Sequence, residues 1–536
     1  DLLYLLQDEQ FHAEEHFYYK HLAYKVINEK GIQSALPVTI SFNPAFQKLI
    51  IHNIKVYRNG IAISQDINKI TQVFRRETEA ENYIINGLLT AYINIPDIRV
   101  GDIIDFDYSI KGANPVLGNK KSYIGTLNES VFIHRMRTKV LYSKERVFKY
   151  RVKENNEPKK GIENNIQTLE WDLKDVEPLE TEEHTPTWFN PYNIIEITEY
   201  QSWEEVNNWA LETLLKGKET GYLCKVIHDS LNYGKLGKYT YLLRTVQFVQ
   251  DNIRYMSEAS GIYSHMPKSP EQVLRQRYGD CKDKSVLLCK LLELEGIKAY
   301  PVLVNSKLRS TIKSYLPSNK IFDHCIVVVL IDKHVFWFDP TLSFQRGNLD
   351  SRYWINYGAG LVVKEGNNQI DIIPQSNYSE ITSNYSIEVM SQNGMANMFI
   401  ITKYIGYEAD YLRAILKSTT LSKIEKFLLE YHGRTYSEIE STVPLKYNDD
   451  ENNNIITLYE NYRINRVWVL ENEKDSNTIM LQFFPRKITE NIRVPSTNKR
   501  RHPFLIDNYP TKIKEEFYIT IPFPIPFKPS SKSVLD

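Results

Sequence analysis

Cysteine is scarce. The 536 residues hold four, Cys224, Cys281, Cys289 and Cys325, with no C-x-x-C pair among them, so nothing suggests a disulfide scaffold. Cys281 and Cys289 fall on one expected helix about 12 Å apart, too far to bridge. Excess charge of either sign is missing too. With 66 basic and 66 acidic residues there is no net field to draw nucleic acid or an acidic membrane, and nucleic-acid partners are not expected. No apolar run reaches the length of a membrane span. What remains is ordinary for a soluble globular chain, 42% hydrophobic and 25% charged. The length suits about three or four domains.

The stretch from Tyr278 to Val304, YGDCKDKSVLLCKLLELEGIKAYPVLV, carries the clearest chemistry. Gly279 permits a close backbone approach and Asp280 is a good N-cap. From Cys281 a dense apolar pattern (Val286, Leu287, Leu288, Leu291, Leu292, Leu294) runs to a stop at Gly296. The pattern predicts a buried helix with a thiol in its first turn, where free amides and the helix dipole favour an anion. Ala299–Val304 then reads as a strand beside it.

A nucleophilic cysteine needs a base, and the base an orienting acceptor. His324 opens a β-branched run, Cys325-Ile326-Val327-Val328-Val329, and Asp339 closes the next one, Val335-Phe336-Trp337-Phe338. With Ile331-Asp332-Lys333-His334 as the turn, the two runs form a hairpin that sets His324 near Asp339. Each residue has a plainer reading alone: a small buried thiol, a core histidine, an Asp-Pro-Thr turn. Together, in order and on elements able to converge, they point to a catalytic constellation.

These motifs, Tyr278-Gly279-Asp280-Cys281, Asp323-His324-Cys325 and Asp339-Pro340-Thr341, resemble those of the transglutaminase-like cysteine enzymes of the papain-like group, over roughly Tyr200 to Gln345. The resemblance implies Cys281 as nucleophile, His324 as base and Asp339 as its orienter. Tyr255 falls where some members carry a tryptophan that helps hold the oxyanion, which makes it a candidate donor. Lys282-Asp283-Lys284 follows Cys281 where animal transglutaminases have an aromatic residue, a departure that resembles bacterial members.

Around this core the expected architecture is multidomain α+β: an N-terminal β-sandwich over residues 1–185, a transglutaminase-like α+β core over 200–350, and a β-rich, sandwich-like domain with a helical insertion over 375–536. The first domain alternates as strands at Leu49–Tyr57 and Val100–Tyr108. It resembles the uncharacterised β domain that often precedes such a core in bacteria, through Ile95-Pro96 and Val100-Gly101-Asp102-Ile103-Ile104, which implies no catalytic residue. His12-Ala13-Glu14-Glu15-His16 matches H-x-x-E-H, but no third ligand announces itself and the following residues alternate like an edge strand, so neither metal nor cofactor is expected.

The acidic, proline-bearing passage between Trp171 and Tyr200 reads as a linker. Ser202-Trp203-Glu204-Glu205 opens a helix with a capping-box-like start, helices follow near Tyr222–Leu231 and Tyr239–Asn252, and Ser257–Ser269 reads as a loop at the cleft. Past Tyr353, strands are expected at Tyr385–Val389, Met398–Thr402, Asn454–Tyr459 and Thr478–Phe483, helix within Glu408–Leu429, and a solvated turn at Arg500–Phe504.

The expected function is acyl transfer or hydrolysis on a protein or peptide amide. The alternative is a catalytically idle cell-envelope scaffold whose β domains do the binding. A start without methionine and the Pro/Ser-bearing tail Lys528–Ser533 lead to an extracytoplasmic expectation, with a membrane tether after Asp536.

Overall fold

The computed structural model describes all residues except 78–79, 154–155, 259, 376–378, 437, 471–478, 482–483, 493–498, 507–509 and 525–536. The tail Lys528–Ser533 and the ends of the expected Thr478–Phe483 strand lie outside the described residues; Ile479–Leu481 between them is a strand. The chain is a multidomain α+β protein that divides into two compact units. One holds Asp1–Leu342, Asn356–Gln375 and Lys499–Phe504; the other holds Ser343–Ile355, Ser376–Asn498 and Leu505–Asp536.

The first unit begins with an eight-stranded sheet. Its central strands are Leu2–His12, Phe17–Val26 and Ile103–Lys111, antiparallel neighbours, with Lys48–Arg58 outside Ile103–Lys111. On the other side Leu2–His12 pairs in parallel with Ile133–Ser143. Every second residue points inward, so Ile54 and Val56, or Ile104 and Phe106, meet Ile40, Ala91 and Ile93 of a three-stranded sheet packed against them. A second three-stranded sheet, with Ile194–Thr198 at its centre between Ser122–Thr126 and Lys149–Val152, covers Val140, Leu169 and Trp171. The passage expected to be a linker therefore ends in a fully buried strand. Its prolines and acids mark only the approach to that strand; its partners are far away in sequence.

H-x-x-E-H sits at the turn of the first hairpin, not on a helix. His12 ends one strand, Phe17 begins the next, and Glu14 accepts from Ser143 N (2.9 Å) and Arg146 Nε (2.8 Å). Arg500–Phe504, expected as a solvated turn, is docked instead: Glu182 accepts from the amides of Arg501 (2.7 Å) and His502 (3.1 Å), and the His502 ring lies against Phe189.

The rest of this unit surrounds the helix Cys281–Leu294. Asp280 caps it, accepting from Asp283 N while Asp283 returns a bond to Asp280 N. At the other end Gly296, at φ +67°, and Ile297 donate to Glu293 O and Leu292 O, a Schellman stop. The helix packs on an antiparallel sheet ordered His334–Phe338, His324–Ile331, Lys298–Val304, Ala359–Val362 and Asp371–Ile372. Ser202 caps the helix Trp203–Leu214 as its sequence suggests, though Glu205 returns its bond to Gln201 N, one residue early.

The second unit is a five-stranded sheet ordered Ile439–Asp450, Ile455–Ile464, Ala396–Ile405, Ser379–Val389 and Thr511–Thr520, the last pair parallel. The helical insertion, Tyr407–Ser418 and Leu421–Gly433, supplies the layer that buries Ile456 and Leu458. Among the described residues no helix is long and apolar enough to cross a membrane.

Candidate active site

Three elements bring the site together. The helix start holds Cys281, half-buried and packed against the same apolar cluster as Trp203, Trp209 and Phe322. Gly279, two residues before it, pairs with Tyr255 in a short parallel ladder, and a Cβ at Gly279 would stand 2.7 Å from the Asp283 Cβ. Only glycine leaves room for the capping box to close. The hairpin supplies the other two groups: Ile331 pairs with His334 across the Asp332-Lys333 turn, which leaves His324 at the start of one strand and Asp339 just past the end of the other.

His324 Nε2 lies 2.8 Å from Asp339 Oδ2, and the Cys281 side chain is near enough to act electrostatically on His324. The expected trio is thus in one place. Asp339 is almost fully buried, and its other contacts fix it: Thr341 N and Oγ1 donate to Oδ1 (2.9 and 2.6 Å), the Tyr357 hydroxyl donates to Oδ2 (2.7 Å), and Gln250 Nε2 donates to its carbonyl (2.9 Å). Of these, Gln250 was legible as a polar residue on the buried face of Lys238–Asn252. Thr341 lay unassigned within its motif. Tyr357, in an irregular segment, carried no signal.

Electrostatics follow from this packing. Burial opposes protonation of His324 but is outweighed by the charge and hydrogen bond of Asp339 and by the interaction with Cys281, so its pKa stands well above the ordinary value. Burial would raise Asp339, yet the His324 charge and hydrogen bond, with those from Thr341 and Tyr357, hold it down to about 2. By linkage, the stability that His324 contributes is complete below its ordinary 6.5 and lost as pH rises through its raised folded value. For Asp339 it is present above the ordinary 3.8 and lost as pH falls toward about 2. In Asp339→Asn the largest stabiliser of the imidazolium is gone, and the His324 titration followed by NMR should move to lower pH. An unmoved midpoint would contradict this electrostatic account.

Tyr255 is paired with Gly279, two residues before Cys281. Burial, with the charges of Cys281 and Asp280, pushes its hydroxyl well above its ordinary pKa, so it stays a protonated donor, and among the described residues that hydroxyl has no hydrogen-bond partner. Lys284, fully buried one turn along from Cys281, donates to Gln250 O (3.2 Å) and Ile253 O (2.6 Å). It ties the cysteine helix to the chain entering the Tyr255 strand. Burial pulls its pKa down to about 8 against the attraction of Asp339 and Asp251. The remaining thiols, Cys224, Cys289 and Cys325, are buried, and burial raises the pKa of each. Among the described residues no cluster of His, Cys, Asp and Glu suited to a metal ion occurs.

Comparison with known proteins agrees with this architecture. The chain shares its fold over most of its length with a solved bacterial structure of 14% sequence identity, at a TM-score of 0.60, covering 87% of this chain and 93% of the other. That protein is a "putative protease" from Parabacteroides distasonis. At such identity the likeness shows the fold alone. Residues 13–180 match the model of a domain of unknown function with a solved structure, DUF3857, a span that takes in most of the N-terminal strands, without Leu2–His12 and Ile194–Thr198, and ends before Cys281. A "putative cysteine protease" from Cytophaga hutchinsonii (11% identity, 64% of this chain and 79% of that one, TM-score 0.14) superimposes too poorly to bear on the argument. So does leukotriene A4 hydrolase from Saccharomyces cerevisiae (11%, 37% and 29%, TM-score 0.20). No curated protein matches the sequence.

Proposed function

We propose that this is a transglutaminase-like cysteine enzyme that cleaves or transfers the acyl group of a protein or peptide amide. The reading rests on one observation above the rest: His324 Nε2 is held 2.8 Å from the buried Asp339 carboxylate and interacts electrostatically with Cys281, which is half-exposed at a helix N-terminus. Cys281 Sγ, having passed its proton to His324, attacks the amide carbon, and Asp339 stabilises and orients the imidazolium. The oxyanion is met by the Cys281 backbone N–H, free at the helix start, and by the Tyr255 hydroxyl. His324 then protonates the leaving nitrogen, and a thioester to Cys281 remains. Water or an amine, deprotonated by His324, releases the acyl group and restores the thiol. The name of the Parabacteroides distasonis structure agrees with the water branch.

Incubating the protein with a library of peptide amides, with and without a biotinylated primary amine, tests the reading. Hydrolysis or amine incorporation that disappears in Cys281→Ser is expected. No Cys281-dependent product, with no selective labelling of this thiol, would leave the scaffold alternative standing.

A further inference from the structure

The N-terminal β region does more than precede the core. Its segment Gly112–Ser122 is held between two core loops. Asn114 Nδ2 donates to Gly261 O (2.9 Å) and Ser264 Oγ (2.8 Å), and Val116 O accepts from Trp209 Nε1 (2.8 Å). Leu117 O accepts from Asn319 (3.3 Å), and Ser122 O accepts from Lys320 Nζ (3.0 Å). Ile84-Ile85 from the same region forms a parallel ladder with Ser257-Glu258, directly after the Tyr255 strand. The loop expected at the cleft is therefore ordered by the N-terminal region.

Two groups gathered here can bind an anion. His265 stacks edge-on against Trp209 at 6.0 Å, and Trp209 belongs to the apolar cluster that includes Cys281. Its Nδ1 faces Ser264 Oγ at 2.8 Å; Ser264 Oγ donates to Gly261 O (3.0 Å), so the neutral ring donates from Nδ1, and Nε2 is an acceptor without a partner among the described residues. Lys320, four residues before His324, is reached by solvent and has a carbonyl but no carboxylate partner among the described residues. Lys282, next to Cys281, is already paired with Asp280.

We propose that the ground bounded by Gly112–Ser122, the Gly261–His265 turn and Lys320, beside Cys281, is a subsite for a carboxylate on the substrate, with Lys320 as counter-charge and His265, which takes up a proton at Nε2 as the anion binds, as second donor. The proposal rests on the acyl-transfer reading and narrows it to amides that carry a free carboxylate near the reacting bond. Support comes from two groups left unmatched, Lys320 with no carboxylate and His265 Nε2 with no partner among the described residues. Burial, followed by the charges of Lys282 and Lys320, lowers the His265 pKa to about 4, and crowding by protein lowers that of Lys320. A bound anion relieves both. It also gives the N-terminal region a role in specificity.

Iodoacetate and iodoacetamide differ by one charge, and their rates at Cys281 form a ratio that separates the two ideas. His324 attracts the anion in every variant, so the comparison is among variants. The iodoacetate-to-iodoacetamide ratio should fall on the order of tenfold in Lys320→Gln, as expected for one charge lost at subsite distance. It should persist in Lys320→Arg and in Lys313→Gln, an exposed lysine elsewhere. Added salt should erode it. In turnover, peptide amides with a side-chain or C-terminal carboxylate are compared with their amidated counterparts; the source is whichever loses its KM advantage in Lys320→Gln. An unchanged ratio, with Cys281 still reactive, overturns the subsite and spares the nucleophile. Indifference of Cys281 to both reagents overturns the reading beneath it and the subsite with it.

Discussion

Cys281→Ala and His324→Ala should each lower turnover of a peptide amide by about 10³-fold or more, because nucleophile and base act as one unit and removing either removes the shared pathway. Folding should survive both. Cys281 is half-buried, and losing one sulfur atom leaves no large cavity. Losing His324 strips the buried Asp339 of its cation, but the Tyr357 hydroxyl and both Thr341 donors remain on the carboxylate. The cost should be about 1–3 kcal/mol, and Asp339 should titrate at higher pH. Asp339→Asn keeps nucleophile and base while disturbing tautomer and orientation, and should leave reduced but measurable activity. Kinetics with melting curves on the same preparations separate these effects. Undiminished turnover in Cys281→Ala would refute the assignment.

The second large effect belongs to the other compact unit. Arg413 is 1% exposed and forks onto Asp449 at 2.9 and 2.8 Å; it also reaches Asp410 Oδ1 (3.0 Å), Asn454 Oδ1 (3.1 Å) and Phe344 O (3.2 Å). Arg413→Ala takes the forked partner from Asp449 and one cation from Asp410, which keeps the Arg346 amide and the more distant Arg352 charge, and should cost about 3–5 kcal/mol. The deficit should depend on pH. Burial pushes Asp410 up to about 6, against the Arg346 amide and the Arg413 charge. A carboxyl raised in the folded state binds more protons there than in the unfolded chain, so stability falls as pH rises through that range. Without Arg413 the Asp410 pKa rises further, and the deficit should widen between about pH 5 and pH 8. Hydrogen exchange in Tyr407–Ser418 and Ile455–Ile464 reads this locally. Native protection in Arg413→Ala across that range would contradict the network's role.

The parts of the site legible in the sequence are those set by short-range signals. Asp280 and Gly296 bound the cysteine helix through contacts a few residues away, and Asp332-Lys333 turns a hairpin whose register carries Asp339 to His324. What stayed hidden depends on partners distant in sequence. Ile194–Thr198 reads as linker because its flanks are polar and proline-bearing, yet it fills the gap between Ser122–Thr126 and Lys149–Val152. Glu14 reads as part of a metal motif until Arg146 is seen to hold it, and Arg501 and His502 read as solvated until Glu182 meets their amides. Tyr357 belongs to the same class: no periodicity announces a hydroxyl that arrives on Asp339 from an irregular segment.

The central claim, that His324 makes Cys281 the reactive thiol, is tested most directly by limiting iodoacetamide on the native protein, with the label mapped by mass spectrometry in wild type and His324→Ala. The account predicts label on Cys281 far ahead of the buried Cys224, Cys289 and Cys325, and loss of that lead in His324→Ala. Labelling of Cys281 no faster than the other three, or equally fast without His324, would contradict it.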